Sequence, residues 1–127
     1  MKQKLQKNNS NSYFGIITRG DIRKIDFDDI IFFESEGRKI NVYTKYRKIS
    51  FNGSIENIRE KLDERFCSCH GSYEINLTKV NRFTGDSLEM EGGHLLPVSQ
   101  RKSAELRRLF QTYLKKHFPC NLKDDIV

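Results

Sequence analysis

Phe66-Cys67-Ser68-Cys69-His70-Gly71-Ser72-Tyr73-Glu74-Ile75-Asn76-Leu77 is the stretch whose reading decides the fold. It reads as β-structure, yet a His, a Ser, a Tyr and an Asn interrupt its apolar residues. Nothing in it resembles a nucleophile with a base and an orienting group. It looks like a polar reading edge built on strands, and DNA fits such an edge best. In an extended strand Cys67 and Cys69 share a face and His70 points the other way. A structural zinc site needs four convergent ligands, and neither Cys120 nor His94 stands at a matching spacing. Buried, inert thiols are the better reading, and no metal or cofactor is expected.

The neighbouring segments extend the β pattern. Tyr13–Thr18 is an apolar-rich strand, Ile22–Phe27 a weaker one, and Asp28-Asp29 a turn. Ile30–Glu34 is a short buried strand, and Ser35–Lys39 a turn with Gly37 supplying unusual dihedrals. Ile40, Val42, Thr44 and Tyr46 alternate with polar positions at period two, and Lys48–Phe51 follows. Asn81–Thr84 and Ser87–Met90 flank Gly85-Asp86 as a hairpin. Glu91–His94 then turns the chain into Leu95–Val98. Two helical stripes break this pattern. Ser54 caps a short one carrying Ile55, Ile58 and Leu62. A longer one starts near Ser99, with Leu106, Leu109, Phe110, Tyr113, Leu114 and Phe118 on one face and mostly Lys and Arg on the other. No internal repeat stands out.

Composition narrows the partners. Lys and Arg outnumber Asp and Glu by 23 to 17 in 127 residues, a net charge of +6 that suits an anionic partner. Three cysteines cannot form a complete intrachain disulfide set, and no secretory signal precedes the domain, so a reducing, cytoplasmic setting is expected. The longest strongly apolar run, Ile30–Phe33, is far too short to span a membrane. There is no nucleophile elbow and no phosphate-binding glycine loop, which argues against an enzyme. The polar residues at turns and strand ends are Arg38, Lys39, Asn76, Gln100 and Arg101. Arg pairs with guanine edges, and Asn or Gln with adenine edges.

Three blocks then resemble a known family. They are Asp28-Asp29-Ile30-Ile31-Phe32-Phe33-Glu34-Ser35-Glu36-Gly37, then Phe66-x-x-x-His70-x-Ser72-Tyr73-x-Ile75-Asn76-Leu77-x-Lys79-Val80, and Leu96-Pro97-Val98-Ser99 followed by Arg101. In order and separation they resemble the LytTR DNA-binding domain, the output module of AgrA-like and VirR-like bacterial response regulators, over roughly residues 16–114. The resemblance implies a mainly β fold: an elongated arrangement of short antiparallel β-sheets with two helices. Residues 13–118 would form the DNA-binding domain, with 1–12 a disordered tail and 119–127 a flexible one.

The resemblance also implies reading of double-stranded DNA by loops and strand ends, on paired short direct repeats, with a homodimer on the duplex. Carried over by position, base contacts fall to Arg38 or Lys39, to Asn76, and to Gln100 or Arg101. His70 and Ser72 support the loop or touch phosphate, and Lys79 and Ser99 complete the set. Two departures stand out: Gln100 replaces the family's usual Arg, and Gly71 stands where Arg is common. About twelve residues precede the domain, too few for a receiver domain, so the chain is expected to be either a stand-alone LytTR protein or an excised piece, and the Met1 start favours the former. Two other classes remain in view. One is a protein-interaction module acting on a full-length regulator through the last helix. The other is a single-strand binder using Tyr43, Tyr46 and Phe51, which needs exposed rings on one basic face.

Gln100→Arg tests the carry-over. It is expected to shift the selected binding-site logo from adenine towards guanine at one position. A logo unchanged by the substitution would mean that position 100 reads no base.

Overall fold

The computed structural model describes residues 12–121. The expectations for the two tails fall, apart from Ser12 and residues 119–121, outside that span. A five-stranded antiparallel sheet organises the molecule, in the order β5-β4-β3-β7-β6. Its strands are β3 (Ile30–Glu36), β4 (Lys39–Thr44), β5 (Lys48–Asn52), β6 (Phe66–His70) and β7 (Tyr73–Asn76). A hairpin of β1 (Tyr13–Ile17) and β2 (Ile22–Asp26) stands apart, as does a three-stranded sheet of β8 (Val80–Phe83), β9 (Ser87–Met90) and β10 (Leu95–Pro97). The helices are α1 (Ile55–Arg59) and α2 (Gln100–His117). This is the mainly β, two-helix architecture that the patterning predicts.

Strand β3 is central because Ile30-Ile31-Phe32-Phe33 is buried on both faces. Ile30 and Phe33 join one core with Phe14, Ile16 and Ile25 from the hairpin and Ile55 and Ile58 from α1. Ile31 and Phe32 join the other, with Ile75, Leu88, Met90, Leu96 and Leu106. Two adjacent residues can share a face because the register against β4 shifts between Ile30 and Phe32, an irregularity that breaks strict alternation. Strand β3 also runs two residues further than the sequence pattern suggests. Glu36 pairs with Lys39, so the loop is only Gly37-Arg38. Gly37 stands at φ 62, a conformation that tight two-residue hairpins take most easily with glycine.

Both helices form where expected. Ser54 Oγ accepts the Asn57 amide at 3.3 Å, capping α1. The helix ends at Arg59, and Leu62 reaches the margin of the first core from the turn beyond. Helix α2 buries Leu106 fully, and Leu109, Phe110 and Tyr113 flank it against the second core. The chain leaves α2 in extended conformation at Phe118, just before Pro119.

Asn76 is the largest departure from the sequence reading. It is 0 % exposed. Its Nδ2 donates to Ile30 O at 2.9 Å and to Phe27 O at 3.3 Å. Its Oδ1 accepts from Thr78 N at 3.0 Å and Thr78 Oγ1 at 2.7 Å. Both amide protons and the carbonyl are engaged, so Asn76 has nothing left to offer a base. It pins the end of β7 to the start of β3 and caps the 3-10 turn Leu77–Lys79. Asp26 does the same for the turn Phe27–Asp29, accepting the Asp28 amide at 2.9 Å. Ile25-Asp26-Phe27-x-x-Ile30 and Ile75-Asn76-Leu77-x-x-Val80 are thus one strand–turn–strand device used twice. The recurrence is too short to stand out as a sequence repeat.

Cys69 is fully buried, with Sγ 3.4 Å from Pro97 O, while Cys67 is half-buried. Burial, reinforced by the charge of Glu74, pushes both thiols up to about 12. They stay protonated at neutral pH, and Cys120 is exposed.

Two outcomes follow. Asn76→Ala leaves two buried carbonyls and an amide without their partner, and should lower unfolding free energy by about 2–4 kcal/mol in urea titrations. A loss below about 0.5 kcal/mol, the range of ordinary surface changes, would contradict the pin. At neutral pH, iodoacetamide should label Cys120 in the native protein and reach Cys67 and Cys69 only on unfolding, as read by mass spectrometry.

Candidate nucleic-acid interface

Three backbone hydrogen bonds gather separate loops at one rim of the large sheet. Ser35 N donates to Ser72 O at 2.8 Å, joining the β3–β4 hairpin to the β6–β7 turn. Ser99 N donates to Cys69 O at 2.8 Å, joining the start of α2 to the end of β6. Gly53 N donates to Arg38 O at 3.0 Å, adding the segment between β5 and α1. Residues 35–39, 52–54, 70–72 and 99–101 therefore form one continuous edge.

Most of the residues singled out in the sequence meet on this rim. Arg38, Lys39, Gln100 and Arg101 are exposed, and His70, Ser72 and Ser99 are half-buried. Among the described residues, no carboxylate lies within ion-pair distance of Arg38, Lys39 or Arg101, whereas Arg23, Lys45, Arg59 and Arg65 all have partners. No side chain caps the first turn of α2, so the Ser99 hydroxyl is not spent on the helix. Ser72 N donates to His70 Nδ1 at 3.2 Å. That bond requires the neutral imidazole with its proton on Nε2, which is left as a donor.

Two expected members do not join. Asn76 lies at the opposite end of β7, sealed as described above. Lys79 follows it on the capped turn, half-buried, with Nζ 4.0 Å from Glu91 Oε2. Conversely, the structure brings to the rim Asn52, a residue the sequence does not single out. It pairs with Lys39 across β4 and β5 and is exposed beside the hairpin tip. Exposed Asn57, on the first turn of α1, lies next along the chain. The only sequence signal for them is their position around Gly53-Ser54, which reads simply as a helix start.

An anionic network stands behind the hairpin tip. Asn41, 1 % exposed, donates through Nδ2 to Glu34 Oε1 at 2.9 Å and Glu36 Oε1 at 2.8 Å, and accepts from Ser50 Oγ at 2.6 Å. Tyr43 donates to Glu34 Oε1 at 3.2 Å, and Tyr73 to Glu34 Oε2 at 3.5 Å. Burial first, and then the Glu34 charge, raise both phenols above their ordinary range, so they remain donors. The carboxylates are thereby fixed within the sheet, and Arg38 is left as the charged group at the loop tip.

Tyr43, Tyr46 and Phe51 do not form the exposed aromatic platform that a single-strand binder needs. Tyr43 stacks on Phe32 with centroids 4.4 Å apart, Phe51 packs at the margin of the first core, and only Tyr46 of the three is exposed. Among the described residues, no group of three or more His, Cys, Asp or Glu converges as a metal site, and no helix is long and apolar enough to cross a membrane.

The family model for the LytTr DNA-binding domain matches residues 20–111. The accessory gene regulator protein A of Staphylococcus epidermidis is 39% identical over 54 residues, covering 41% of this chain and 22% of that protein. The protein of the same name from Staphylococcus aureus strain N315 is 32% identical over 76 residues, 58% of this chain and 32% of the relative. The chain thus spans about a third or less of these relatives. Among solved structures, the LytTr DNA-binding domain of a putative methyl-accepting/DNA response regulator from Bacillus cereus shares the fold. The two have a TM-score of 0.67 and 22% identity, over 78% of this chain and 96% of that one. With a family match running from the β1–β2 connection into the last helix, this chain belongs to the LytTr DNA-binding domain family.

Proposed function

We propose that this domain binds duplex DNA in a sequence-dependent way and regulates transcription from the cytoplasm. The observation that carries the proposal is the rim, where four loops from distant parts of the sequence converge and present Arg38, Lys39 and Arg101 without acidic partners. Phosphate contacts need mobile cations of this kind, and base reading needs donors and acceptors held on fixed loops. Family membership supports DNA as the ligand, and the relatives' names support gene regulation.

Within this reading Arg38 and Gln100 are the base readers. Arg38 stands at a two-residue hairpin tip narrow enough to enter a groove, and Gln100 opens α2 with its amide in solvent. Lys39, Arg101, Ser99 and the His70 Nε2–H hold phosphate, with Ser72 shaping the turn between them. Asn76 and Lys79 have no direct part. Two copies on paired direct repeats would double the footprint, with or without a protein contact between them.

Selection of bound duplexes from a random pool, followed by titration at several salt concentrations, tests this. Log affinity should fall linearly with log salt, with a slope of roughly −3 to −6 at about 0.9 per phosphate contacted. Arg101→Ala should weaken all sequences evenly and reduce the slope by about one. Arg38→Ala should relax preference at one base position, by about 1–3 kcal/mol of discrimination. A flat salt response with no enriched sequence would reject DNA as the ligand and favour a protein partner.

A further inference from the structure

Glu74 is the one carboxylate in the large sheet that is almost wholly buried, at 6 % exposed, and it faces α1. Its Oε1 accepts from Arg59 Nε at 2.8 Å and from Ser68 Oγ at 2.6 Å. The same guanidinium reaches further: Arg59 Nη2 donates to Gly71 O at 3.2 Å. We infer that Arg59, held by Glu74, is a positioning residue for DNA recognition, because it fixes the backbone of the β6–β7 turn from behind while touching no DNA itself. This inference rests on the rim being the DNA-binding surface.

The Arg59 side chain is 31 % exposed and that of Glu74 8 %, and such a partly buried pair adds little stability, since desolvation and solvent screening offset most of its attraction. Its geometry offers something an apolar pair does not. The planar fork lets one side chain satisfy a buried carboxylate and a loop carbonyl together. Lysine, a point donor on a flexible stem, would not hold both in one fixed geometry. The turn needs such a tether. Gly71 is exposed, and a Cβ there would meet nothing within 4 Å, so side-chain packing does not locate it. The register of β6 against β7 also shifts between Ser68 and His70, which loosens the ladder just before the turn. Beyond the His70–Tyr73 pair that closes the two-residue turn, Gly71-Ser72 is held by the Arg59 contact, the Ser72–His70 bond and the Ser72–Ser35 bond. Through Ser35 the turn is coupled to the strand that leads into the Gly37-Arg38 loop.

The test uses the full chain with Arg59→Lys and, separately, the double variant Arg59→Met/Glu74→Met, which removes both charges and orphans neither. Ile58→Val, on the same helix, serves as a control of modest cost to stability. Three quantities are measured: the affinity ratio between the selected duplex and a scrambled one, the salt slope, and amide exchange at Gly71–Tyr73. Both Arg59 variants should lower the ratio by about tenfold, the scale of one lost base contact, and speed exchange at the turn, with the salt slope unchanged. Ile58→Val should leave the ratio alone. If the wild-type chain selects its duplex and either folded Arg59 variant selects it equally well, the inference is overturned while the DNA reading stands. If the wild-type chain prefers no duplex at all, both fail together.

Discussion

Burial of β3 on both faces is the constraint on which everything else depends. Ile30 and Phe33 close one core, and Ile31 and Phe32 close the other. With β4 on one side and β7 on the other, the strand has no edge and little freedom of register. Its C-terminal end leaves this apolar region at Glu34, and there the molecule changes character. The loops flanking that end, 37–38 and 71–72, are the two short turns of the rim. A strand fixed so firmly at its middle gives loops at its end a precise origin, as a site on a rigid scaffold requires.

The buried polar side chains divide along the same line. Asn41 and Glu74 lie towards the rim end, and each ties a rim loop to the sheet, the first through Glu34 and Glu36 and the second through Arg59 and Gly71. Asn76 lies at the other end and ties β7 to the turn that begins β3. Asn41 and Asn76 use both ends of their amides, and Glu74 takes Arg59 and Ser68 on Oε1. Partnered in this way, buried polar groups rigidify an interior. The exposed cations of the rim are the opposite case: among the described residues no carboxylate pairs with Arg38, Lys39 or Arg101.

Much of the fold was legible in the sequence. Period-two alternation located β4, the apolar run Ile30–Phe33 located β3, the Leu106–Phe110–Tyr113 stripe located α2, and Ser54 located α1, whereas the turn that divides 66–76 into β6 and β7 was not legible in the strand pattern. The clustering of Arg38, Ser72, Gln100 and Arg101 was legible only through family resemblance, since the bonds that join them link residues 30 or more positions apart. Asn76 shows where sequence reading fails. An asparagine at a strand end has the same polar identity whether it reads a base or caps a turn. Only its bonds to Phe27 and Ile30, more than 40 residues away, decide between the two. Asn52 illustrates the other direction, because its place beside the rim comes from pairing with Lys39 and not from its own neighbours.

In the proposed reading one rim of the sheet meets DNA, and not the opposite rim or the basic outer face of α2. Backbone amide chemical shifts of the isotopically labelled chain, followed as the selected duplex is added, test it most directly. The account predicts large perturbations confined to residues 35–39, 52–54, 70–72 and 99–101, with residues 45–47 and 76–79 and the outer face around Arg108 and Lys115 nearly unchanged. Perturbations centred on 45–47 and 76–79, with the rim silent, would contradict it.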